Sequence, residues 1–380
     1  MGHDCSRETA AKGPCPRRCA DCLIGVDSRE MRLPLLVALA LLAAPGLAHG
    51  STAKVVLPPD SGSLFSYIAA PGETNQVEAS LLAGTVTIRD TGASITAGDG
   101  CVSVDAHEVT CAVGIHDQLG VALDDLGDSL ILEGDGVDWD VRGGDGADTL
   151  VDSCPTGCGF LFGGPGNDTL QGRGISGGGG DDTLTGSLKG DSIGGGSGND
   201  TLSGAAGNDM LLPAAGDDTV DGGLGRDTVW FAARPPIGIT ADLRTGVATG
   251  DGTDTLTGVE SLIGSSRDDH FSGDWHANSF DGQGGGDVLI GRGGADNLDG
   301  NCCSGGNDRL YGGPGRDRLW GGPGNDLLQG GRGVDRLRGQ NGNDRLRAKD
   351  GLRDDVVGGL GFDRARVDSI DVVSSIEAFF

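Results

Sequence analysis

The chain has 380 residues, of which 74 are Gly, and a formal net charge of −28. So large an excess of acid excludes binding to the phosphate backbone of nucleic acids as the main role, because such binding needs a basic surface. It also predicts that the acidic groups repel one another unless a cation neutralises them.

The first recognisable pattern is an apolar run, residues 33–44, that follows Met31 and Arg32 and precedes small residues up to Gly50. This order is typical of a secretory signal peptide, and the run is short for a membrane span. We therefore predict a signal peptide over residues 31–50, translation from Met31, an extension at residues 1–30 that does not belong to the native protein, and secretion to the extracellular space. A carboxy-terminal export signal at residues 376–380, an acid followed by apolar residues, is the alternative route.

Residues 51–133 predict a small strand-rich region. Residues 84–89 and 101–104 alternate in the manner of strands. Cys101 and Cys111 flank a predicted hairpin and fit a disulfide in an oxidising compartment. Residues 123–131 already resemble a degenerate copy of the repeat that follows, so this region is expected to pass into the repeats as their cap.

Residues 177–230 repeat the nine-residue pattern G-G-x-G-x-D-x-U-x six times without losing phase, where U is aliphatic. One aliphatic residue in nine cannot form an amphipathic helix, but it can form a short strand with one inward side chain. Glycine reaches positive φ without steric penalty and suits the turns between such strands. The pattern therefore predicts strands and turns of regular length.

Two strand-and-turn units close one coil, so residues 18 apart stack. The predicted same-side pairs are Asp182 with Asp200, Asp200 with Asp218, Asp191 with Asp209, Asp209 with Asp227, Asp308 with Asp326, Asp326 with Asp344, and Asp317 with Asp335. Stacked carboxylates favour a hard divalent cation, and calcium accepts six to eight oxygens from carboxylates and backbone carbonyls. The absence of Cys and His from these turns disfavours zinc.

Further copies lie on both sides of this run, at residues 143–151, 163–171, 282–299, 303–347 and 358–366. The candidate calcium ligands are the position-six residues Asp148, Asp168, Asp182, Asp191, Asp200, Asp209, Asp218, Asp227, Asp287, Asp296, Asp308, Asp317, Asp326, Asp335, Asp344 and Asp363. Asn278 replaces the acid in one degenerate copy, which argues against metal binding there. Position eight of the last copy is Ala365, a small core residue, so the array is expected to fray at this point.

The nonapeptide resembles the calcium-binding repeat of RTX proteins, over about residues 143–366. The resemblance implies an all-β fold, a right-handed parallel β-roll, that stays loose at low cytosolic calcium and folds on binding several calcium ions after export. We expect the cap at residues 51–133, a first block of repeats at 134–230, strands that extend the roll at 231–263, a second block at 264–366, and a terminal cap at 367–380.

Three functions are compatible with this sequence. The first is a secreted calcium-binding structural or interaction module, with no enzyme activity, no nucleic-acid partner and no membrane span. The second is the export and folding module of a secreted hydrolase, but neither H-E-x-x-H nor G-x-S-x-G occurs. The third is a calcium-dependent adhesin that uses a flat face of the roll, with Thr at position seven of several copies, although β propensity also explains these threonines. The cell-surface or matrix partner is not specified by the sequence.

Cys154 and Cys158 suggest a disulfide across a small loop, and the pairing of Cys302 and Cys303 stays open.

Overall fold

The structure is a computed structural model that describes residues 51–56, 64–82, 84–97, 101–112, 118–134, 139–154, 159–231, 237–300 and 305–380. The predicted extension and signal peptide, residues 1–50, lie outside the described residues, as do Cys158, Cys302 and Cys303. The described residues form strands and turns, with no helix among them. None of them therefore belongs to a helix that could cross a membrane.

The strands are short, and most have three to seven residues. The first nine, which we call the cap, are β1 (Ser51–Val56), β2 (Leu64–Ile68), β3 (Gln76–Leu82), β4 (Thr85–Asp90), β5 (Ile95–Ala97), β6 (Cys101–Ser103), β7 (Glu108–Ala112), β8 (Gln118–Ala122) and β9 (Ser129–Glu133). The following strands, β10 to β39, form what we call the roll.

The roll begins with the first block of repeats. Its strands are β10 (Trp139–Arg142), β11 (Thr149–Asp152), β12 (Gly159–Pro165), β13 (Thr169–Gln171), β14 (Gly174–Gly179), β15 (Thr183–Thr185), β16 (Ser192–Ser197), β17 (Thr201–Ser203), β18 (Ala206–Gly207), β19 (Met210–Ala215), β20 (Thr219–Asp221), β21 (Leu224–Gly225) and β22 (Thr228–Trp230). The segment between the blocks contains β23 (Thr240–Asp242), β24 (Val247–Thr249), β25 (Thr253–Thr257) and β26 (Ser261–Ile263).

The second block and the carboxyl end complete the roll. Their strands are β27 (His270–Ser272), β28 (Ser279–Asp281), β29 (Val288–Ile290), β30 (Asn297–Asp299), β31 (Arg309–Gly315), β32 (Arg318–Pro323), β33 (Leu327–Gly333), β34 (Arg336–Asn341), β35 (Arg345–Arg347), β36 (Asp355–Leu360), β37 (Arg364–Arg366), β38 (Val372–Ser374) and β39 (Ala378–Phe379).

Strands of the roll alternate between two parallel ladders that face each other across a thin core. Ladder one stacks β8, β10, β12, β14, β16, β19, β22, β26, β28, β30, β32, β34, β36 and β38 in this order. Ladder two stacks β9, β11, β13, β15, β17, β20 and β25, and then β27, β29, β31, β33, β35, β37 and β39. The two ladders form a parallel β-solenoid, which confirms the predicted β-roll.

The core of the roll is a single file of position-eight side chains from each ladder. Leu184 lies opposite Leu202 in ladder two, and Ile193 lies opposite Leu211 in ladder one, and all four are fully buried. The residues on either side of each aliphatic point outward because side chains alternate along a strand. Position eight therefore builds the core, and positions seven and nine build the two flat outer faces.

The cap differs from the roll in strand direction. β3, β4, β7 and β6 pair antiparallel, and a disulfide joins Cys101 to Cys111 across the β6–β7 hairpin, as the sequence predicted. β8 and β9 then pair in parallel with β10 and β11. The last two strands of the cap are thus continuous with the two ladders of the roll. Cys154 is also disulfide-bonded.

The segment between the blocks only partly follows the prediction. β25 and β26 extend the two ladders as expected, but β23 and β24 form an antiparallel pair inserted into ladder two between β25 and β27. Ladder two thereby gains two strands, about 10 Å of length, that ladder one lacks. Large side chains fill the core at this level: the ring of Phe271 lies 6.3 Å from that of Phe231 and 5.8 Å from that of Phe280.

The expectation that the array frays at Ala365 is wrong. Ala365 is fully buried, and β38 and β39 add one more strand to each ladder after it. Phe379 lies opposite Ala365 in the next strand, and its side chain is largely exposed at the end of the roll.

Candidate metal centre

The position-six aspartates are buried and stacked in continuous rows along the roll. Each backbone N–H donates to the Oδ1 atom of the aspartate in the next coil, and the N–O distances are 2.8 to 3.2 Å. On ladder two this row is Asp128, Asp148, Asp168, Asp182, Asp200, Asp218 and Asp254. The carboxylate of one coil therefore holds the backbone of the coil before it.

Three further rows follow the same rule in the rest of the roll, with N–O distances of 2.8 to 2.9 Å. The rows are Asp191, Asp209 and Asp227; Asp269, Asp287, Asp308, Asp326, Asp344 and Asp363; and Asn278, Asp296, Asp317, Asp335 and Asp354. Every same-side pair predicted from the spacing of 18 residues is confirmed.

The second carboxylate oxygen of most of these aspartates has no donor. Oδ2 is buried without a hydrogen-bond partner in every candidate ligand except Asp191. A buried carboxylate oxygen without a partner is costly, because the group has lost its hydration and has gained nothing in return. So regular a set of unpartnered acceptors is the arrangement that a series of bound cations would neutralise.

Backbone carbonyls border the same space. A Cβ atom placed on Gly195, at position one, would overlap Oδ2 of Asp200 and lie 2.8 Å from the carbonyl oxygen of Pro213 in the next coil. A Cβ on Gly177 would likewise meet Oδ2 of Asp182 and the carbonyl oxygen of Gly195. The position-one glycine thus leaves open a space bounded by acceptors, which a methyl group would fill.

The glycine at position four is needed for a different reason. Gly198 has φ of +126°, and a Cβ there would overlap the carbonyl oxygen of Gly180 in the preceding coil. Position two is more permissive, since Ala205 and Ala214 occupy it with φ of +66° and +70°. The glycine at position four is therefore required by the close packing of successive turns.

Burial raises the pKa of the stacked carboxyl groups, and carboxylates in neighbouring coils raise it further. The pKa of Asp182 rises to about 6, that of Asp218 to about 7 and that of Asp326 to about 8. The backbone N–H donated to each Oδ1 opposes this rise without cancelling it. In the absence of a cation, the stacked rows thus hold protons at pH values at which an exposed aspartate is ionised.

Asp191 is the exception among the candidate ligands. The backbone N–H of Ser187 donates to its Oδ2 at 2.6 Å, and the Ser187 hydroxyl donates to its Oδ1 at 2.8 Å. Its repeat carries Lys189 where the other copies of the first block have glycine at position four. Asp191 is therefore satisfied by the protein itself and offers less to a cation.

Four buried aspartates of the rows were missed in the sequence. Asp128, Asp254, Asp269 and Asp354 lie in copies that have lost their glycines or shifted their spacing. Each keeps an apolar residue two positions later (Leu130, Leu256, Phe271 and Val356), and these four side chains are buried. Asp followed at the second position by an inward apolar residue is the signal that would have found them.

A second row, at position five, was also missed. The backbone N–H of Asp181 donates to Asn167 Oδ1, that of Asn199 to Asp181 Oδ1, and that of Asp217 to Asn199 Oδ1, at 2.8 to 2.9 Å. The direction of donation is opposite to that at position six. These hydrogen bonds link successive turns. The side chains are exposed, so water can solvate their remaining oxygens and no cation is needed.

The donor set suits calcium. In the described part of the chain, no group of three or more His, Cys, Asp or Glu side chains is arranged to hold a metal by itself. The oxygens that border the space at each turn are a carboxylate Oδ2 and a backbone carbonyl of the next coil. Calcium accepts irregular all-oxygen coordination of this kind, whereas zinc does not.

Comparison with known families identifies the repeats. The family described as RTX calcium-binding nonapeptide repeat (4 copies) matches residues 160–174, 176–211, 214–231, 254–289, 272–301, 304–337, 320–352 and 329–365. A search among curated proteins found no match. The matched segments cover most of both blocks, from residue 160 onward, and include β25 and β26. The family match, the solenoid fold and the stacked aspartates are therefore consistent with one another. The repeats are RTX calcium-binding nonapeptide repeats, and the solenoid that they form is an RTX β-roll, a calcium-binding module.

Proposed function

We propose that this chain is a secreted structural or interaction module whose roll folds when it binds extracellular calcium. The observation that supports this most directly is the regular series of buried Oδ2 atoms without donors. We assign the ligand role to the candidate aspartates other than Asp191, and add Asp128 and Asp354, whose Oδ2 atoms are likewise unpartnered.

The two carboxylate oxygens, the glycine and the carbonyl at each turn have different roles. Oδ1 of an aspartate such as Asp200 holds the backbone N–H of Asp182, and its Oδ2 remains available to a cation. The position-one glycine leaves the space, and the next carbonyl borders it. Bound calcium would supply the positive charge that allows these oxygens to stay ionised and buried.

The thin core explains why folding should depend on the metal. One buried aliphatic side chain contributes about 1.5–3 kcal/mol, and each nine-residue repeat provides only one. Ordering nine residues costs considerably more than this. Because backbone hydrogen bonds add little net free energy, the metal must contribute much of the stability, as in other small-core metal domains.

Two features support secretion. Residues 31–50 have the pattern of a signal peptide. The Cys101–Cys111 disulfide fits an oxidising compartment. Low calcium in the cytosol would keep the roll loose before export, and the high calcium outside the cell would fold it.

Equilibrium dialysis of the full chain against calcium tests the proposal. We expect several ions per chain, cooperative filling and little competition from magnesium, which demands near-octahedral geometry. Binding of fewer than two ions, or equal binding of magnesium, would overturn the ligand assignment.

The two other functions remain second to this one. As the export and folding module of a hydrolase, the roll would accompany a catalytic constellation, and the sequence carries no recognisable hydrolase motif. As an adhesin, the roll would present one outer face to a partner.

A further inference from the structure

The outer face of ladder two carries different residue types in the two blocks. In the first block position seven is Thr in five consecutive strands, β11, β13, β15, β17 and β20. In the second block the same face carries arginine. The outward residues from β31 to β37 are Arg309, Tyr311, Leu327, Gln329, Arg345, Arg347, Arg364 and Arg366. We call these eight residues the arginine face.

Four of these arginines form a compact group. Arg345 lies directly opposite Arg364, and Arg347 lies opposite Arg366, in the parallel pair of β35 and β37. Neighbouring strands are about 4.8 Å apart, so like charges directly opposite one another destabilise the pair. All four side chains are exposed. Among the described residues, none of the four has an ion-pair partner, although the chain carries a net charge of −28.

The opposite face shows that the fold can pair such charges. On ladder one, Arg338 of β34 forms an ion pair with Asp355 of the next strand. On the arginine face every outward position lacks a carboxylate. The arginine face thus gathers five guanidinium groups and no carboxylate, whereas ladder one has the Arg318 and Arg336 pair and the carboxylate of Asp355. This larger group of unpaired charges indicates an external anion.

Aromatic rings support this group from the carboxyl end. The guanidinium of Arg347 lies over the ring of Phe380, 6.0 Å from its centroid, and that of Arg364 lies 5.7 Å from the centroid of Phe362. Stacking of this kind holds a guanidinium flat and leaves its N–H donors directed sideways. Both rings stay about half exposed beside the guanidinium groups, so this end of the face offers hydrogen-bond donors together with some ring surface.

We propose that the arginine face binds an acidic polysaccharide that lies along the roll. Carboxylate or sulfate groups repeated along such a chain match guanidinium groups repeated along the ladder, and each guanidinium can bind an oxyanion in bidentate fashion. Tyr311, on the same face, offers a ring to a sugar. This inference names a partner for the proposed function and rests on it, because the face exists only in the folded roll.

The test uses the full chain in saturating calcium and a fluorescent heparin oligosaccharide, with hyaluronate as competitor and dextran as the neutral control. The double variant Arg345→Gln/Arg364→Gln removes two neighbouring charges from the arginine face. Its matched control, Arg318→Gln/Arg336→Gln, removes two neighbouring position-seven charges from ladder one. Both pairs are exposed, so both variants should keep the calcium midpoint of the parent chain.

We expect binding to heparin that weakens with salt, competition by hyaluronate and none by dextran. The arginine-face variant should lose about tenfold or more in affinity, and the control less than about twofold. Equal loss in both variants, or binding to phosphatidylglycerol vesicles with none to heparin, would overturn the inference. Circular dichroism of the same samples separates the two proposals. A folded chain that ignores heparin contradicts only the polysaccharide, whereas a chain that stays unfolded in calcium contradicts the proposed function as well.

Discussion

Asp90 in the cap and Asp200 in the roll are both buried aspartates, but the protein treats them differently. Asp90 accepts hydrogen bonds from the Tyr67 hydroxyl at 2.7 Å and from the backbone N–H groups of Gln76, Gly92 and Ala93 at 2.9 to 3.1 Å. Asp200 accepts one, from the backbone N–H of Asp182, and its Oδ2 has none. The antiparallel strands of the cap thus supply donors to their buried carboxylate, whereas in the roll Oδ2 of Asp200 is left without a donor, and we expect a cation to occupy that place.

The cap also has a larger apolar core than the roll. The cap buries several apolar side chains on facing antiparallel strands, including Val86, Ile88 and Val109, and a disulfide joins two of its strands. The roll buries one apolar side chain per strand. A region with a broad core and a covalent link can fold without metal, and a region with a narrow core and stacked carboxylates cannot.

Removal of calcium should separate the two regions most strongly. In EDTA we expect amide protons of the roll strands to exchange freely, while those of the β6–β7 hairpin and its neighbours keep much of their protection. Hydrogen exchange followed by mass spectrometry measures both regions in one sample. Equal loss of protection in cap and roll would show that they fold as one unit.

Acid should partly replace calcium in the roll. The pKa values of Asp218 and Asp326 in the folded chain are about 7 and about 8, above the ordinary value of 3.8. The folded roll then binds more protons than the unfolded chain, so the stability of the calcium-free roll falls as pH rises from about 4 to about 8.

A pH titration in EDTA, followed by circular dichroism, should therefore show β structure that increases as pH is lowered from 8 to 5. In calcium the dependence should reverse, because protons compete with the cation for the same oxygens. β content in EDTA that rises with pH would contradict the assignment of these carboxyl groups as buried and unpaired.

Loss of the disulfide should affect the cap alone. The variant Cys101→Ala/Cys111→Ala removes the link across a short loop, and we expect the free energy of unfolding of the cap to fall by about 2–3 kcal/mol. The calcium midpoint of the roll should stay unchanged. Chemical denaturation read at cap and roll by hydrogen exchange checks this, and a shifted calcium midpoint would show that the cap controls folding of the roll.

Substitution of a single candidate ligand should have the smallest effect on the stability of the roll. Asp200→Asn keeps an Oδ1 acceptor for Asp182 but removes the charge, so we expect a higher calcium midpoint and a loss of about 1–2 kcal/mol of stability in calcium. In EDTA the same change should not destabilise, because it relieves repulsion from neighbouring coils. Thermal melts with and without calcium measure both effects.

Asp181→Asn is the matched control, one coil earlier at position five. Its side chain is exposed, its Oδ1 accepts from Asn199, and related copies already carry Asn at this position. We expect no change in the calcium midpoint. A shift as large as that of Asp200→Asn would mean that general surface charge, and not the buried row, controls calcium binding.

The periodic part of the molecule could be predicted because its geometry is periodic. Where Asp and the aliphatic residue recur at a constant spacing of nine, every coil has the same length of 18 residues. The stacking of Asp182 on Asp200 follows from that length. Asp254 and Asp354 were missed because the search relied on glycines, whereas the stacked row requires only Asp and an inward residue two positions later.

Features that depend on contacts between distant residues could not be predicted in this way. The antiparallel β23–β24 pair resembles its neighbours in composition, and only its pairing with β25 and β27 shows that it lengthens one ladder. Nor does the spacing reveal that Ser187 satisfies Asp191, since that contact depends on the shape of one turn.

The most direct test of the account is a calcium titration of a fully chelated sample of the whole chain, followed by far-ultraviolet circular dichroism, with magnesium titrated in parallel. We predict a cooperative gain of β structure with calcium and little or none with magnesium. A spectrum that is already rich in β structure in EDTA, and does not respond to calcium, would contradict the claim that the cation completes the fold of the roll.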